Sequence, residues 1–279
     1  MLFKAIDTLR DFIDKEPSYS KGLVPTMGAL HNGHLSLIKK AQQDCEIVVV
    51  SIFVNPTQFN DPNDLSNYPR TLKTDVKKIE AISKDILIYS PSVEEIYPEG
   101  PKSESFNFGS LSKYMEGQYR SGHFNGVGTV LSRLFDLVEP QKAYFGEKDF
   151  QQLAIVKKLV HLTGQNVDII GCKTFREPNG LAKSSRNKLL LEHEKDDAKI
   201  IYECLKYVKQ NFNYHNIEQL KKKVKSVFKS ANNLKLEYFE IADEDDLTPT
   251  TSAKKNKKYR AFIAAFCDRV RLIDNIALN

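Results

Sequence analysis

With 279 residues, 41% of them hydrophobic and 28% charged, the sequence has the composition of a soluble globular protein, long enough for one large domain or two ordinary ones. Its net charge of +5, from 41 basic and 36 acidic residues, is too mild to select nucleic acid over anionic small molecules. The four cysteines (Cys45, Cys172, Cys204, Cys267) are far apart and form no C-x-x-C pair, which argues against a zinc site or disulfide framework. No apolar run approaches the roughly 18 residues of a membrane span, and the acid-bearing start "MLFKAIDTLRDFIDKE" is not a signal peptide. These features predict a cytoplasmic protein with no membrane partner.

The N-terminal segment reads as a short amphipathic helix. Five short apolar runs then predict strands: "GLVPTM" (22–27), "EIVVVSIFV" (46–54), "DILIYS" (85–90), "KAYFG" (142–146) and "VDIIGC" (167–172). Most are β-branched and apolar throughout, as in parallel strands covered on both faces. Between them, "LSLIKKAQQD", "TLKTDVKKIEAI", "GTVLSRLFDLV" and "DFQQLAIVKKLVHLT" carry apolar residues at helical spacing. The alternation predicts a doubly wound, Rossmann-like α/β domain over residues 1–175. Residues 176–279 change character: two amphipathic helices, "HEKDDAKIIYECLKYVKQNF" and "IEQLKKKVKSVFKSA", then strands in "LKLEYFEIAD" and "YRAFIAAFCDRVRLIDNIAL". A smaller α+β domain is expected there, with a hinge near 175 that would let it act as a lid. "TPTTSAKKNKKYR" is expected to be an exposed loop, the acids at 243–246 a solvated one, and the lysine runs a solvated face.

The string "PTMGALHNGH" places His31 and His34 where the first strand turns into the first helix. Backbone N–H groups and the helix dipole favour an anion there. At spacing i, i+3 two imidazoles share one helical face and can meet one ligand. Gly28 and Gly33 let the backbone approach closely. This pattern suits a nucleotide triphosphate, with imidazole donors aimed at developing phosphate charge. Two other phosphate devices are absent: no G-x-x-x-x-G-K-[ST] occurs ("GQYRSGHF" continues with neither Lys nor Ser/Thr), and no G-x-G-x-x-G follows the first strand.

The H-x-G-H element resembles the nucleotidyltransferase superfamily, and "LAKSSRN" (181–187) matches that superfamily's second, phosphate-closing loop, with hydroxyls and a bidentate guanidinium. Adding "SIFVNPTQF", "YPRT", "EGQYRSGHFNGVGTV" and "FGEKDFQQL", the chain resembles the pantothenate synthetase (pantoate–β-alanine ligase) family over nearly its whole length, densely to about residue 190. The resemblance implies an HxGH-type Rossmann-like fold and an ATP-dependent condensation of pantoate with β-alanine through a pantoyl adenylate, giving pantothenate, AMP and diphosphate. It implies that Met27, Gly28, Ala29, Leu30, His31, Asn32, Gly33 and His34 line the ATP site, with His34 the main catalytic histidine and His31 assisting. Gly146, Glu147, Lys148, Asp149, Phe175, Lys183, Ser184, Ser185 and Arg186 are implied in ATP binding too, Lys148 and Arg186 meeting phosphate charge and Phe175 contributing backbone. Gln58 and Gln152 are implied to hold pantoate, and Gln58 to border β-alanine; Asn55 and Arg120 line the site. Mg²⁺ would accompany ATP, with Asp75 a helper, and a homodimer is implied.

Gln151 reads as surface, His161, His193 and His215 as structural or exposed, and His123 as a brace. Ser121 stands where the family has proline, and Lys183 where it has leucine or methionine. Two other readings compete. One is a superfamily adenylyltransferase acting on a phosphorylated acceptor, disfavoured by neutral glutamines where arginines would serve. The other is a nucleotide- or RNA-binding module without catalysis, disfavoured by the intact basic set and the lack of a basic stripe interleaved with aromatics.

Overall fold

The computed structural model describes every residue of the chain except Asn232. In chain order the elements are β1 (Leu2–Phe3), α1 (Ile6–Ile13), β2 (Lys21–Thr26), α2 (Asn32–Asp44), β3 (Ile47–Ile52), α3 (Pro62–Asn67), α4 (Leu72–Glu80), β4 (Leu87–Tyr89), α5 (Val93–Ile96) and α6 (Glu116–Tyr119). There follow α7 (His123–Val138), β5 (Lys142–Gly146), α8 (Phe150–Thr163), β6 (Asp168–Cys172), α9 (Glu192–Asn211), α10 (Ile217–Lys229), β7 (Leu234–Asp243), β8 (Tyr259–Cys267) and β9 (Val270–Ala277). They form two compact units. One comprises Met1–Phe108, Arg120–Glu147 and Gln152–Lys173; the other comprises Gly109–Tyr119, Lys148–Gln151 and Thr174–Asn279.

The first unit holds a six-stranded, wholly parallel sheet in the order β1-β4-β3-β2-β5-β6. The apolar runs read as strands are these strands. Only β1 escaped the sequence reading, because two residues carry no period and its pairing partner, β4, lies 86 residues away. On one face Leu37, Ile38 and Ala41 of α2 pack with Val24, Val50, Ile88 and Tyr144 of the strands, all nearly inaccessible to solvent. Buried on both faces, the central strands tolerate no polar alternation, which is why their sequences are nearly continuous apolar runs. The strand order reverses where β2 lies between β3 and β5, and the C-terminal ends of strands at such a switch point are where open α/β sheets bind ligands.

The second unit is an antiparallel sheet, β7-β8-β9, covered by α9 and α10. Ile201, Leu205 and Val208 of α9 and Leu220, Val224 and Phe228 of α10 meet Ile241, Ile263 and Leu272 of the sheet. Of residues 243–246, Asp245 and Asp246 lie exposed in the turn after β7, as a solvated loop would, but Asp243 and Glu244 do not. Asp243 is buried and paired with Lys257, and Glu244 accepts from Arg260 Nε at 2.8 Å. Asp243 and Glu244 close the end of β7 because each has a cation, Lys257 from the segment leading into β8 and Arg260 from β8 itself.

Candidate active site

In the first unit the histidine motif builds its own scaffold. Thr26 ends β2; Gly28 (φ +80°) and Ala29 (φ +51°) then take the left-handed region, which costs a non-glycine residue roughly 1–2 kcal/mol. Asp75 of α4, fully buried, holds that turn: its two carboxylate oxygens accept the Ala29 and Leu30 N–H groups at 2.9 and 2.8 Å, and one also accepts the Thr71 hydroxyl at 3.0 Å. A Cβ on Gly28 would sit 3.3 Å from Asp75 Oδ2. Lys78 Nζ donates to the Leu30 carbonyl at 2.6 Å. Asp75 braces the turn, and Ala29 and Leu30 are wholly buried with their N–H groups taken by Asp75.

The turn delivers the chain to α2, whose N-cap is His31. The two histidines form a reciprocal capping box: His31 Nδ1 accepts the Gly33 N–H at 3.1 Å, and His34 Nδ1 accepts the His31 N–H at 3.3 Å. Imidazole here replaces the usual hydroxyl or carboxylate cap. A neutral ring that accepts at Nδ1 carries its proton on Nε2, so both rings present an Nε2–H donor edge. They stack with centroids 4.0 Å apart, at 28°. Met27, Gly33 and both histidines are half-buried and Asn32 is exposed.

Beside this motif, at the end of the neighbouring strand β3, Asn55 and Gln58 sit in a buried polar knot. Asn55 Nδ2 donates to Gln58 Oε1 (3.2 Å) and to the Gly126 carbonyl (3.1 Å), and its Oδ1 accepts from Tyr97 Oη (2.7 Å). Gln58 Nε2 reaches the Met27 thioether. The Gln58 carbonyl accepts from His123 Nδ1 at 2.9 Å, which leaves His123 Nε2 as the acceptor for Arg120 Nη1 at 3.1 Å. His123 is therefore a brace for Gln58, and Arg120 is tied to the same point. Gly126 is required: a Cβ there would lie 2.3 Å from the Thr57 carbonyl oxygen. The Ser121 carbonyl accepts from Asn60, so the residue that replaces proline keeps a backbone role. Gly146 ends β5, next to β2 in the sheet, and Glu147 follows it; Gln152 is half-buried on the first turn of α8.

The second unit holds the other assigned residues. A hairpin is closed by Lys183 N–H donating to Phe175 O (2.9 Å) and Glu177 N–H to Leu181 O (2.8 Å). Arg176 in it makes a bidentate pair with Asp274 of β9, at 2.6 and 3.0 Å, and lies over the Tyr202 ring. Phe175 is partly exposed. The Lys183 ammonium pairs with Glu177 across the hairpin, so its charge is met within the loop. Ser184 caps the short 3₁₀ turn Ser185–Leu189 by accepting the Arg186 N–H at 3.3 Å; Ser185 is buried and Arg186 half-buried. Lys148 is half-buried, with Asp149 3.5 Å from its ammonium, and its carbonyl accepts from Asn275 Nδ2 at 2.8 Å.

Glu116, Glu237 and Arg271 were not singled out in the sequence, and Gln151 was read differently. Gln151 is buried, not surface: it donates to the Leu111 and Tyr114 carbonyls and accepts the Glu116 N–H. Its signal was helical spacing, since Gln151, Ile155 and Leu159 fall on one buried stripe of α8. Glu116 takes a bidentate bond from Arg271 at 2.7 and 2.8 Å, and Glu237 binds the same guanidinium. Burial works against the Arg271 charge, but the two carboxylates outweigh it and raise its pKa. His161, His193 and His215 are exposed.

A family model described as pantoate-beta-alanine ligase matches residues 1–277. The chain belongs to the pantoate-beta-alanine ligase family. It is 51% identical over 265 residues to the pantothenate synthetase of Christiangramia forsetii, covering 95% of this chain and 94% of that one. It is 52% identical over 258 residues to that of Flavobacterium psychrophilum, covering 92% of both. Among solved structures, the pantothenate synthetase of Thermus thermophilus matches with a TM-score of 0.92 at 36% identity, covering 99% of each chain. The pantoate-beta-alanine ligase of Francisella tularensis, complexed with beta-gamma ATP and beta-alanine, matches with a TM-score of 0.82 at 37% identity over all of this chain and 97% of that one. The chain is thus a ligase, and the Rossmann-like parallel sheet with a separate antiparallel C-terminal sheet is this family's architecture.

Proposed function

We propose that the protein joins pantoate to β-alanine at the cost of ATP. The pantoate carboxylate attacks the α-phosphorus; the bond to the β-phosphate oxygen breaks and diphosphate leaves. The β-alanine amine then attacks the acyl carbon of pantoyl adenylate, the bond to AMP breaks, and the amine gives up a proton. The observation that carries this reading is the paired histidine cap at the head of α2, at the sheet's switch point. It directs two fixed N–H donors outward from a helix N-terminus, where negative charge on phosphate is stabilised. No protein nucleophile is needed, because the attacking group is the substrate's own carboxylate. The ligand bound to the Francisella tularensis relative supports ATP and β-alanine as the ligands here.

In this reading the segment Met27 to His34, with Gly146 to Asp149, Phe175 and Lys183 to Arg186, serves ATP. His34 and His31 with Lys148 and Arg186 stabilise the charge that builds on phosphate. Gln58 and Gln152 hydrogen-bond pantoate, and the Asn55 knot holds Gln58 in one rotamer. Among the described residues no three His, Cys, Asp or Glu side chains form a metal cluster. Mg²⁺, an ion that usually needs few protein carboxylates, would accompany the triphosphate and neutralise part of its charge. The family resemblance also carries a homodimer. A cytoplasmic location fits cysteines that are all free thiols, and among the described residues no helix is long and apolar enough to cross a membrane.

The test is stepwise. Protein with ATP, magnesium and pantoate should release diphosphate, and AMP should appear only when β-alanine is added. Diphosphate release that ignores pantoate, or AMP release that ignores β-alanine, refutes the reading. Gln152→Ala should raise the pantoate KM while ATP binding stays near normal; equal losses for both would remove Gln152 from the acid's site. Size-exclusion chromatography with light scattering checks the dimer.

A further inference from the structure

We propose that Asn275, on β9, is a positioning residue for Lys148. The inference rests on the proposed function, in which the Lys148 ammonium meets phosphate charge. Asn275 is 4% exposed and lies 127 residues from Lys148 in sequence. Its Nδ2 donates to the Lys148 carbonyl at 2.8 Å, and its Oδ1 accepts from Arg260 Nη1 at 2.7 Å. The arginine fixes which way the amide faces: with Oδ1 committed to a cation, the NH₂ side is the one left for the carbonyl. Arg260 is itself held, by Glu244 through Nε at 2.8 Å and by stacking 3.7 Å over the Phe150 ring.

Arg260 therefore grips the turn at Phe150 while Asn275 grips it at Lys148. Fixing that carbonyl fixes the backbone from which the lysine side chain leaves. The preceding residue, Asp274, anchors Arg176 and with it the hairpin that leads to Ser184–Arg186. Two adjacent residues of one strand thus hold both cationic segments of the second unit. A lysine is a flexible point charge. Its value in a transition state depends on where its stem begins, and a misplacement of about 1 Å can cost on the order of 10²-fold in rate.

The decisive variant is Asn275→Asp. It keeps the size and the acceptor for Arg260 but sets an oxygen against the Lys148 carbonyl. We expect pantoate-dependent diphosphate release to fall about 10- to 100-fold in kcat, with the pantoate KM and the melting temperature close to wild type. Lys148→Ala combined with Asn275→Asp should be no slower than Lys148→Ala alone, since Asn275 acts through that lysine. Glu244→Gln loosens Arg260, which orients the Asn275 amide and grips Phe150, so it should lower kcat in the same direction by a smaller factor. A folded Asn275→Asp with wild-type kcat overturns the proposal, and so does a double mutant whose losses multiply. If Asn275→Asp does not fold, Asn275→Ser is measured the same way; failure of both to fold makes the residue purely structural and also overturns it. Wild-type protein that releases no diphosphate would instead refute the proposed function itself.

Discussion

The two segments proposed to meet phosphate are held in different ways. The 27–34 segment of the first unit is built from neighbours: a left-handed pair at Gly28 and Ala29, a two-histidine cap within four residues, and one buried aspartate on a nearby helix. Lys148 and the 175–186 hairpin of the second unit are held by side chains about a hundred residues away on β9. The first arrangement forms as soon as β2, α2 and α4 pack; the second exists only when the last strand is in place. Local scaffolding gives rigid donors, whereas distant clamps give cations whose placement depends on the whole fold.

The largest effect expected is from Asp75→Ala. It strands two buried N–H donors, each costing about 1–3 kcal/mol, so urea unfolding should show a loss of about 2–6 kcal/mol with unchanged m. A loss below about 1 kcal/mol would mean that the 28–30 turn does not lean on Asp75. Next is His34→Ala, which should slow adenylate formation roughly 10²- to 10³-fold, the usual loss of one transition-state donor. It should also cost about 1 kcal/mol of stability through the lost cap. Rapid-quench measurement of diphosphate release separates the two, and near-normal turnover would remove His34 from the chemistry.

Gly126→Ala should cost about 1–3 kcal/mol by overpacking, because the new Cβ meets the Thr57 carbonyl. By displacing Gln58 it should raise the pantoate KM with little change for ATP, so a rise in both would show that the Asn55 knot serves the whole site. The smallest effect concerns the second unit's core. Burial raises the thiols of Cys204 and Cys267 from 9.0 to about 11. Between pH 9 and 11 the folded state binds more protons than the unfolded one, so stability should fall as pH rises through that window and stay flat below it. Thermal melts across pH 8 to 11 check this, and Cys204→Ala with Cys267→Ala should reduce the slope between pH 9 and 10, the buried tyrosines and Cys172 keeping the remainder.

How much of the site was legible follows the same division. Pro25–His34 could be read because its residues are contiguous and each supplies a local backbone need. The sequence also placed Gln58, Lys148 and Arg186 at strand ends or in loops and read His123 as a brace, but the other supports (Gly126, Asn275, Asp274) carry no local signal. Gln151 and Gln152 show the limit: adjacent amides on one helix, told apart only by which side of α8 is buried. The Lys183 ammonium was open from sequence until Glu177 stood opposite it in the hairpin.

By itself, then, the sequence determined the strand and helix order, the parallel sheet and the histidine motif, since hydrophobic period and local capping act over a few residues and survive in the chain as pattern. Tertiary structure alone decided the edge strand β1, the burial of Asp75, the ion pairs at 243–244 and the clamp of β9 on Lys148. Each of those joins groups that are not neighbours in the chain, and the desolvation that makes such pairs necessary arises only once each sheet and its covering helices have closed around them.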